Sequence, residues 1–423
     1  MNNMLGTIIN FYLSSSDFNG MPIGELLNQF NGTEEDLIDE LRSLLTEHKI
    51  VVLGGATENP HILRFPPPEP TVQADLLTSP NPHHTCIYPS PAVLKESISH
   101  SLFTNEPYRR LLALGEPQLS FRAFDLIVLE HYRNDPRYDY YNNDISGQIV
   151  IADDDLTANR MAESDQVVLE TFGFAYDEKL TRAVAVFTRY LARLSPEHQQ
   201  IWRAKELEGD FKLHNDYYEQ SIGGSWFTNV SICDAIIDEI QVINKMSRAM
   251  GRKPLFRKYF SDSNQHKPRE FCLLIRPTLL EYQSFILLLD KILSDNINKK
   301  FFGTDVSSEI EETDKKGRIQ VRRKGTLRML DEWIRMKFNP DDWTLWEDSL
   351  ETLKKVRKLR QKPAHSLDDN RFDQGLIQEQ IELLEHVYFA ISTIRLAWQL
   401  HPRVQAKKIT VPRHLQELRI TLR

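Results

Sequence analysis

The chain has 423 residues, 41% of them hydrophobic and 26% charged, with a formal net charge of −8, the balance of an ordinary globular protein long enough for two to four domains. Cys86, Cys233 and Cys272 lie too far apart in sequence for a disulfide framework. No stretch reaches the length of a membrane span, and Met1–Phe18 lacks the basic leader and apolar run of an export signal, so the reducing cytoplasm is the expected compartment.

Residues 1–65 read as three helices and a hairpin. Gly6–Ser14 and Met21–Phe30 come first, then Thr33–Lys49, which Thr33-x-x-Asp36 opens as a capping box. Two strand-like runs come next, Ile50–Leu53 and His61–Phe65, joined across Gly54-Gly55. This order resembles a winged-helix domain, whose third helix enters a DNA groove. Here the third helix carries Glu34, Glu35, Asp36, Asp39, Glu40 and Glu47, and residues 1–100 hold 4 Lys/Arg against 12 Asp/Glu. Such a face repels phosphates. Duplex DNA is therefore not the expected partner, and the acidic module is expected to dock a protein or to pack.

Residues 66–100 are rich in proline (Pro66-Pro-Pro68, Pro70, Pro80, Pro82, Pro89 and Pro91) and read as a linker or extended strap. His83, His84 and Cys86 are ligand types, but they crowd together without a fourth partner, so no metal site is expected.

Residues 101–265 read as a mainly helical central domain. Helices are expected at Leu119–Tyr132, Glu178–Leu194, Pro196–Leu213 and Thr228–Met250, the last stopped by Gly251, with one strand-like run at Ile149–Ile151. Arg193-x4-His198 reads as capping chemistry, Ser195 being the cap and Pro196 the first helical residue. Tyr132, Tyr138, Tyr140 and Tyr141 stand beside Arg133 and Arg137. They could stack bases, but such a cluster more often packs a loop on the core. Asp153-Asp-Asp155 reads as a solvated turn, and Gly54-Gly55 and Gly223-Gly224 lack the lysine and spacing of a phosphate loop.

Residues 270–402 read as a helical bundle, with helices near Thr278–Asn298, Thr326–Phe338, Asp341–Gln361 and Gly375–His401, and 403–423 as a tail. The third helix buries a stripe of Trp346, Leu350, Leu353 and Val356, and Arg360 falls within about 20° of the same line. A guanidinium there needs an anionic partner, a pocket or an interface. Pro363 ends the helix, and His365 lies on the turn beyond it. Arginine and histidine can together hold a phosphate and move a proton without a metal. With 30 arginines and 13 histidines, about one Arg-x4-His spacing arises by chance, so context has to decide. That context is basic: Lys315–His365 hold 15 Lys/Arg and 7 Asp/Glu in an otherwise acidic chain, which suggests a polyanionic partner.

The helix order and the motif Arg360-Gln-Lys-Pro-Ala-His365 resemble a HEPN domain over about a third of the chain. The residue after that family's arginine is most often asparagine, aspartate or histidine; here it is Gln361. The resemblance implies a dimerising helical bundle and a cofactor-free, metal-independent endoribonuclease of a bacterial defence or toxin–antitoxin type. Arg360 would neutralise the charge developing on the phosphorane, His365 would act as general acid–base, and Gln361 would orient the arginine or the phosphate. Lys354, Arg357, Lys358, Lys362, Arg322 and Arg323 would hold the RNA backbone. The alternative is a non-catalytic dimeric scaffold or regulator. The expected fold is mainly α and multi-domain: a winged-helix-like module, a helical central domain and a C-terminal bundle.

Overall fold

The computed structural model describes residues 4–15, 17–54, 68–99, 102–152, 161–224, 229–260, 267–313, 319–361 and 369–421. The chain is mainly α, with several small sheets and one larger one. It divides into two compact units, Met1–Asp139 with Gln148–Leu213, and Tyr140–Gly147 with His214–Arg423.

The first unit begins with α1 (Met4–Ser14), β1 (Met21–Pro22), α2 (Ile23–Gln29) and α3 (Glu34–Thr46). The capping box on α3 is present as expected. Thr33 Oγ1 accepts from the Asp36 amide at 3.1 Å, and the Thr33 amide donates to Asp36 Oδ2 at 3.1 Å. Leu37, Leu41 and Leu45 face inward, and the six carboxylates singled out on this stretch are all exposed.

The expected hairpin takes a different form. β2 (Ile50–Gly54) pairs antiparallel with β3 (Thr85–Pro89), and β1 completes the sheet on the other side of β3. The expected partner run, His61–Phe65, lies outside the described residues. Residues 66–100 are accordingly not a linker where they are described. They carry α4 (Pro70–Thr78), the central strand β3 and α5 (Pro91–Ser97). The prolines that suggested a strap are structural starts: Pro70 and Pro91 sit in the first turns of helices, where the missing N–H costs nothing. Gln73 of α4 is buried, accepts from the Val52 amide at 2.9 Å and donates to the Pro68 carbonyl at 2.7 Å.

The central region is built on a sheet rather than on the helices expected of it. After α6 (Pro107–Ala113) come β4 (Phe121–Phe124), a 3-10 turn, α7 (Glu130–Arg133), β5 (Tyr138–Asn142), β6 (Ser146–Ile151), β7 (Val168–Tyr176), β8 (Arg182–Phe187), α8 (Thr188–Leu191), α9 (Pro196–Arg203) and β9 (Lys212–Leu213). The strands form a six-stranded sheet in the order β4-β8-β7-β6-β5, with β9 on β7. The expected helix Glu178–Leu194 is a strand followed by one helical turn. Ala183 to Phe187 are buried on both faces of β8, so no alternation marks the strand. The tyrosine cluster packs the core. The Tyr132 hydroxyl lies 2.8 Å from His198 Nδ1 and accepts from Trp202 Nε1 at 2.9 Å, while Tyr138 donates to the Asp165 carbonyl at 2.8 Å. Ser195 caps α9 by accepting from the His198 amide at 3.3 Å, as the capping reading of that motif requires.

The second unit contains α10 (Asn215–Tyr218), β10 (Val230–Ser231), α11 (Ile232–Ala249), α12 (Leu279–Ile292), the β11–β12 hairpin (Glu309–Thr313 with Ile319–Arg323), α13 (Thr326–Lys337), α14 (Thr344–Gln361), α15 (Gly375–Gln399), α16 (Pro402–Lys407), α17 (Arg413–Gln416) and β13 (Ile420–Thr421). Gly251, at φ +81°, takes the left-handed position just past α11. α11 packs along α15 and α15 along α14, while Phe301, Trp333, Phe338 and Trp398 meet in one ring cluster.

Two expectations change here. α11, assigned to the central domain, is part of the bundle. It packs along α15, whose Leu383, Val387, Ala390 and Ile394 are buried. Residues 403–423 are not a free tail, because β13 pairs in parallel with β10. Among the described residues, no helix is long and apolar enough to cross a membrane.

Candidate functional site

The site is built on α14. Trp346, Leu350, Leu353 and Val356 are buried as their spacing requires, which fixes the rotation of the helix and leaves the next position on that line, Arg360, at the surface edge of the bundle. The anionic partner it needs comes from α12 and the turn after it. Arg360 Nη1 donates to Asp290 Oδ2 at 2.6 Å and also to Asp295 Oδ2. One turn back, Arg357 Nη2 donates to Asp295 Oδ1 at 2.8 Å, and its Nε lies 3.8 Å from Asp290 Oδ1. Two guanidiniums and two carboxylates thus form a neutral quartet.

The Asp290 side chain is wholly buried, whereas that of Arg360 keeps 34% of its surface exposed. A buried carboxylate without such partners would be strongly unfavourable, so Asp290 and the two arginines hold α12 against α14. Its hydrogen bonds to Asp290 and Asp295 push the Arg360 pKa further up, keeping it charged at any physiological pH. Both bonds use one nitrogen. Nη2 and Nε of Arg360 engage nothing among the described residues.

Lys354, Lys355 and Lys358 are exposed on the outer face of α14 and have no ion-pair partner among the described residues. Gln361, the last residue of the helix, is exposed. Arg322 and Arg323 are exposed on β12, two to three residues before Gly325, the N-cap of α13. A Cβ at Gly325 would stand 4.0 Å from Arg357 Nη1, so the basic end of β12 and the basic end of α14 approach each other at Arg357. Lys362 and His365 lie outside the described residues.

The sequence reading therefore finds Arg360 and its need for a partner but misses the partners themselves. Asp290 stands in the apolar run Phe285–Ile292, and an acid in such a run is the same kind of anomaly as Arg360 in its stripe. Among the described residues no group of three or more histidine, cysteine or acidic side chains is placed to hold a metal ion, and Cys86, Cys233 and Cys272 form no disulfide. No family model, curated protein or solved structure matches this chain.

Proposed function

We propose that the chain is a metal-independent endoribonuclease of the cytoplasm, working in bacterial defence or as a toxin, with the end of α14 as its site in the manner of the HEPN domains that its C-terminal part resembles. The observation that carries this reading is the half-engaged guanidinium of Arg360. Asp290 and Asp295 take one nitrogen and fix the plane, leaving an exposed edge free for a phosphate oxygen. Unpaired Lys354 and Lys358 share its helix and supply the electrostatic attraction that an RNA backbone needs. In the proposed reaction the ribose 2′-hydroxyl attacks the adjacent 3′-phosphate in line, the P–O5′ bond breaks, and the 5′-oxygen leaves as a hydroxyl. Arg360 stabilises the phosphorane, and His365, five residues on, transfers the protons. DNA lacks that hydroxyl and is not a substrate. The decisive experiment is incubation of the full chain with single-stranded RNA and excess EDTA, then analysis of the product ends.

One observation favours a second reading. The quartet is neutral, so Arg357 and Arg360 have already spent their charge on Asp290 and Asp295, as a purely structural clamp would. In that case the bundle is a scaffold, and the exposed acidic face of α3 in a winged-helix-like module docks a basic protein.

Both readings include a two-fold dimer through the bundle. The exposed apolar side chains of α15 and its end are Phe389, Leu396 and the adjoining Leu400, 62%, 52% and 68% exposed. Exposed Glu379 and Glu382 lie upstream on the same helix, and exposed Lys407 and Lys408 lie just beyond it. An antiparallel crossing of two copies sets the acidic half of one against the basic end of the other. Light scattering of the wild type at micromolar concentration is expected to give the dimer mass, and Leu396→Asp the monomer mass. A monomeric wild type rejects the dimer.

A further inference from the structure

The first unit contains a cavity of about 540 Å³ that the proposed reaction does not use, bordered by α6, α8 and the start of α9 together with the Asp17–Phe18 turn. Its size suits a small organic ligand. Phe18 sits at φ +53°, in the left-handed region that costs a bulky residue about a kcal/mol or more. The turn is held there by packing of Phe18 on Tyr12, with ring centres 5.5 Å apart, and by Gln118 Nε2, which donates to the Asp17 carbonyl at 2.6 Å.

The charges around the cavity are the informative part. Arg109 pairs with Glu106 at 3.2 Å, and Arg193 pairs with Asp17 at 3.4 Å and with Glu170 at 3.0 Å. Two lining charges are left over. Arg189 has no carboxylate partner among the described residues, and its Nε is buried without a hydrogen bond. Its backbone is anchored, its own amide being bonded to the Gln118 carbonyl at 3.0 Å and the preceding Thr188 amide to the Ser120 carbonyl at 2.8 Å. Glu163, exposed on the rim, has no cationic partner among the described residues either.

We propose that this cavity binds a small zwitterion with an apolar body, its anionic group on Arg189, its ammonium at Glu163 and its body against Phe18, Leu112 and Leu194. Arg189, whose guanidinium lies 5.5 Å from the Tyr190 ring centre, and Glu163, neither with an ion-pair partner among the described residues, complement one negative and one positive group, and Phe18, Leu112 and Leu194 offer an apolar contact for a side chain. A polyanion fits poorly, since Arg109 and Arg193 are already paired with Glu106 and Asp17, and Glu163 would repel negative charge beyond the group that Arg189 meets. The ligand chemistry is an amine joined to a carboxylate or to a phosphate, as in an α-amino acid or an aminoalkyl phosphate.

The test is thermal melting of the full chain with an equimolar mixture of the twenty protein amino acids and, separately, with phosphoethanolamine. Inorganic phosphate and acetate serve as controls. One of the two zwitterion arms is expected to raise the melting temperature by roughly 3 °C at saturation, while the controls do not. Arg189→Leu is expected to abolish the shift and Glu163→Gln to weaken binding at least about fivefold by calorimetry. Glu163 is exposed, so its variant decides the matter even where Arg189→Leu melts low on its own. N-acetylation of the binding amino acid is expected to remove the shift as well. No shift in either arm, or a shift retained in both variants, overturns the proposal. A shift from inorganic phosphate alone also overturns it, by showing a simple anion site.

Discussion

The full chain is expected to cleave single-stranded RNA in excess EDTA, leaving a 2′,3′-cyclic phosphate at the 3′ end of the upstream fragment and a 5′-hydroxyl on the downstream one, while the matching DNA stays intact. The expectation rests on two groups that need no metal, a guanidinium already oriented by Asp290 and Asp295 and an imidazole five residues on. Arg360→Ala and His365→Ala are each expected to lower the rate by roughly two or more powers of ten, the usual scale for losing an oxyanion donor or a general acid–base. Asp295→Asn separates the two readings. If the carboxylate only orients Arg360, freeing the arginine spoils its geometry, so the rate falls while RNA binding tightens slightly. If the quartet is only a clamp, Asp295→Asn and Arg360→Ala lower the melting temperature alike and no variant changes any RNA cleavage. Activity that requires a divalent ion, or that survives in both Arg360→Ala and His365→Ala, rejects the proposed mechanism.

How much of each element is legible in the sequence depends on how many faces it buries. α14 buries one stripe, so its period and the anomaly of Arg360 can be read, and the structure supplies the acid that the anomaly demands. The Thr33 capping box, the Ser195–Pro196 helix start and the Gly251 stop are local chemistry, complete within a few residues, and each is where its sequence puts it. The central sheet is a different case. β8 is buried on both faces, and an uninterrupted run such as Ala183-Val-Ala-Val-Phe187 carries no period to separate strand from helix. The prolines of 66–100 mislead for another reason, because proline opens helices as readily as it breaks them, and only the partner strands β1 and β2 reveal β3 as central. Least legible are contacts set by distant chain. Nothing local in α15 shows that α11, some 150 residues earlier, packs along it. Nor does anything near Arg189 show that its neighbours around the cavity already pair among themselves.

The joint between α11 and α15 carries the largest expected stability effect. Arg395 Nε donates to Glu239 Oε2 at 2.6 Å, with the two side chains 7% and 0% exposed, and Arg395 Nη1 also donates to Gln399 Oε1 at 2.9 Å. Burial pushes the Glu239 carboxyl up to about 7 even though Arg395 pulls it down. Arg395→Leu strands that carboxylate, and because the carboxyl protonates rather than stay charged and unpaired, the cost grows above its wild-type value by up to about 1.4 kcal/mol per pH unit toward the about 3–5 kcal/mol of a broken buried pair. The cost should depend on pH, and the sign comes from proton counting. Between the ordinary glutamate value of 4.5 and the raised folded value, the folded chain holds a proton that the unfolded chain has lost. Stability therefore falls as pH rises through that window, by at most about 1.4 kcal/mol per unit for one group. Removing Arg395 raises the folded value further and extends the window upward. Melting curves at pH 5, 6, 7 and 8 are expected to show Arg395→Leu close to wild type at pH 5 and progressively worse toward pH 8. Adding Glu239→Leu to Arg395→Leu should recover most of the loss and flatten the added pH dependence, since no buried charge is then left unpaired. A gap between Arg395→Leu and wild type that stays constant from pH 5 to 8 would show that packing of the arginine stem, rather than the stranded carboxylate, holds this joint together.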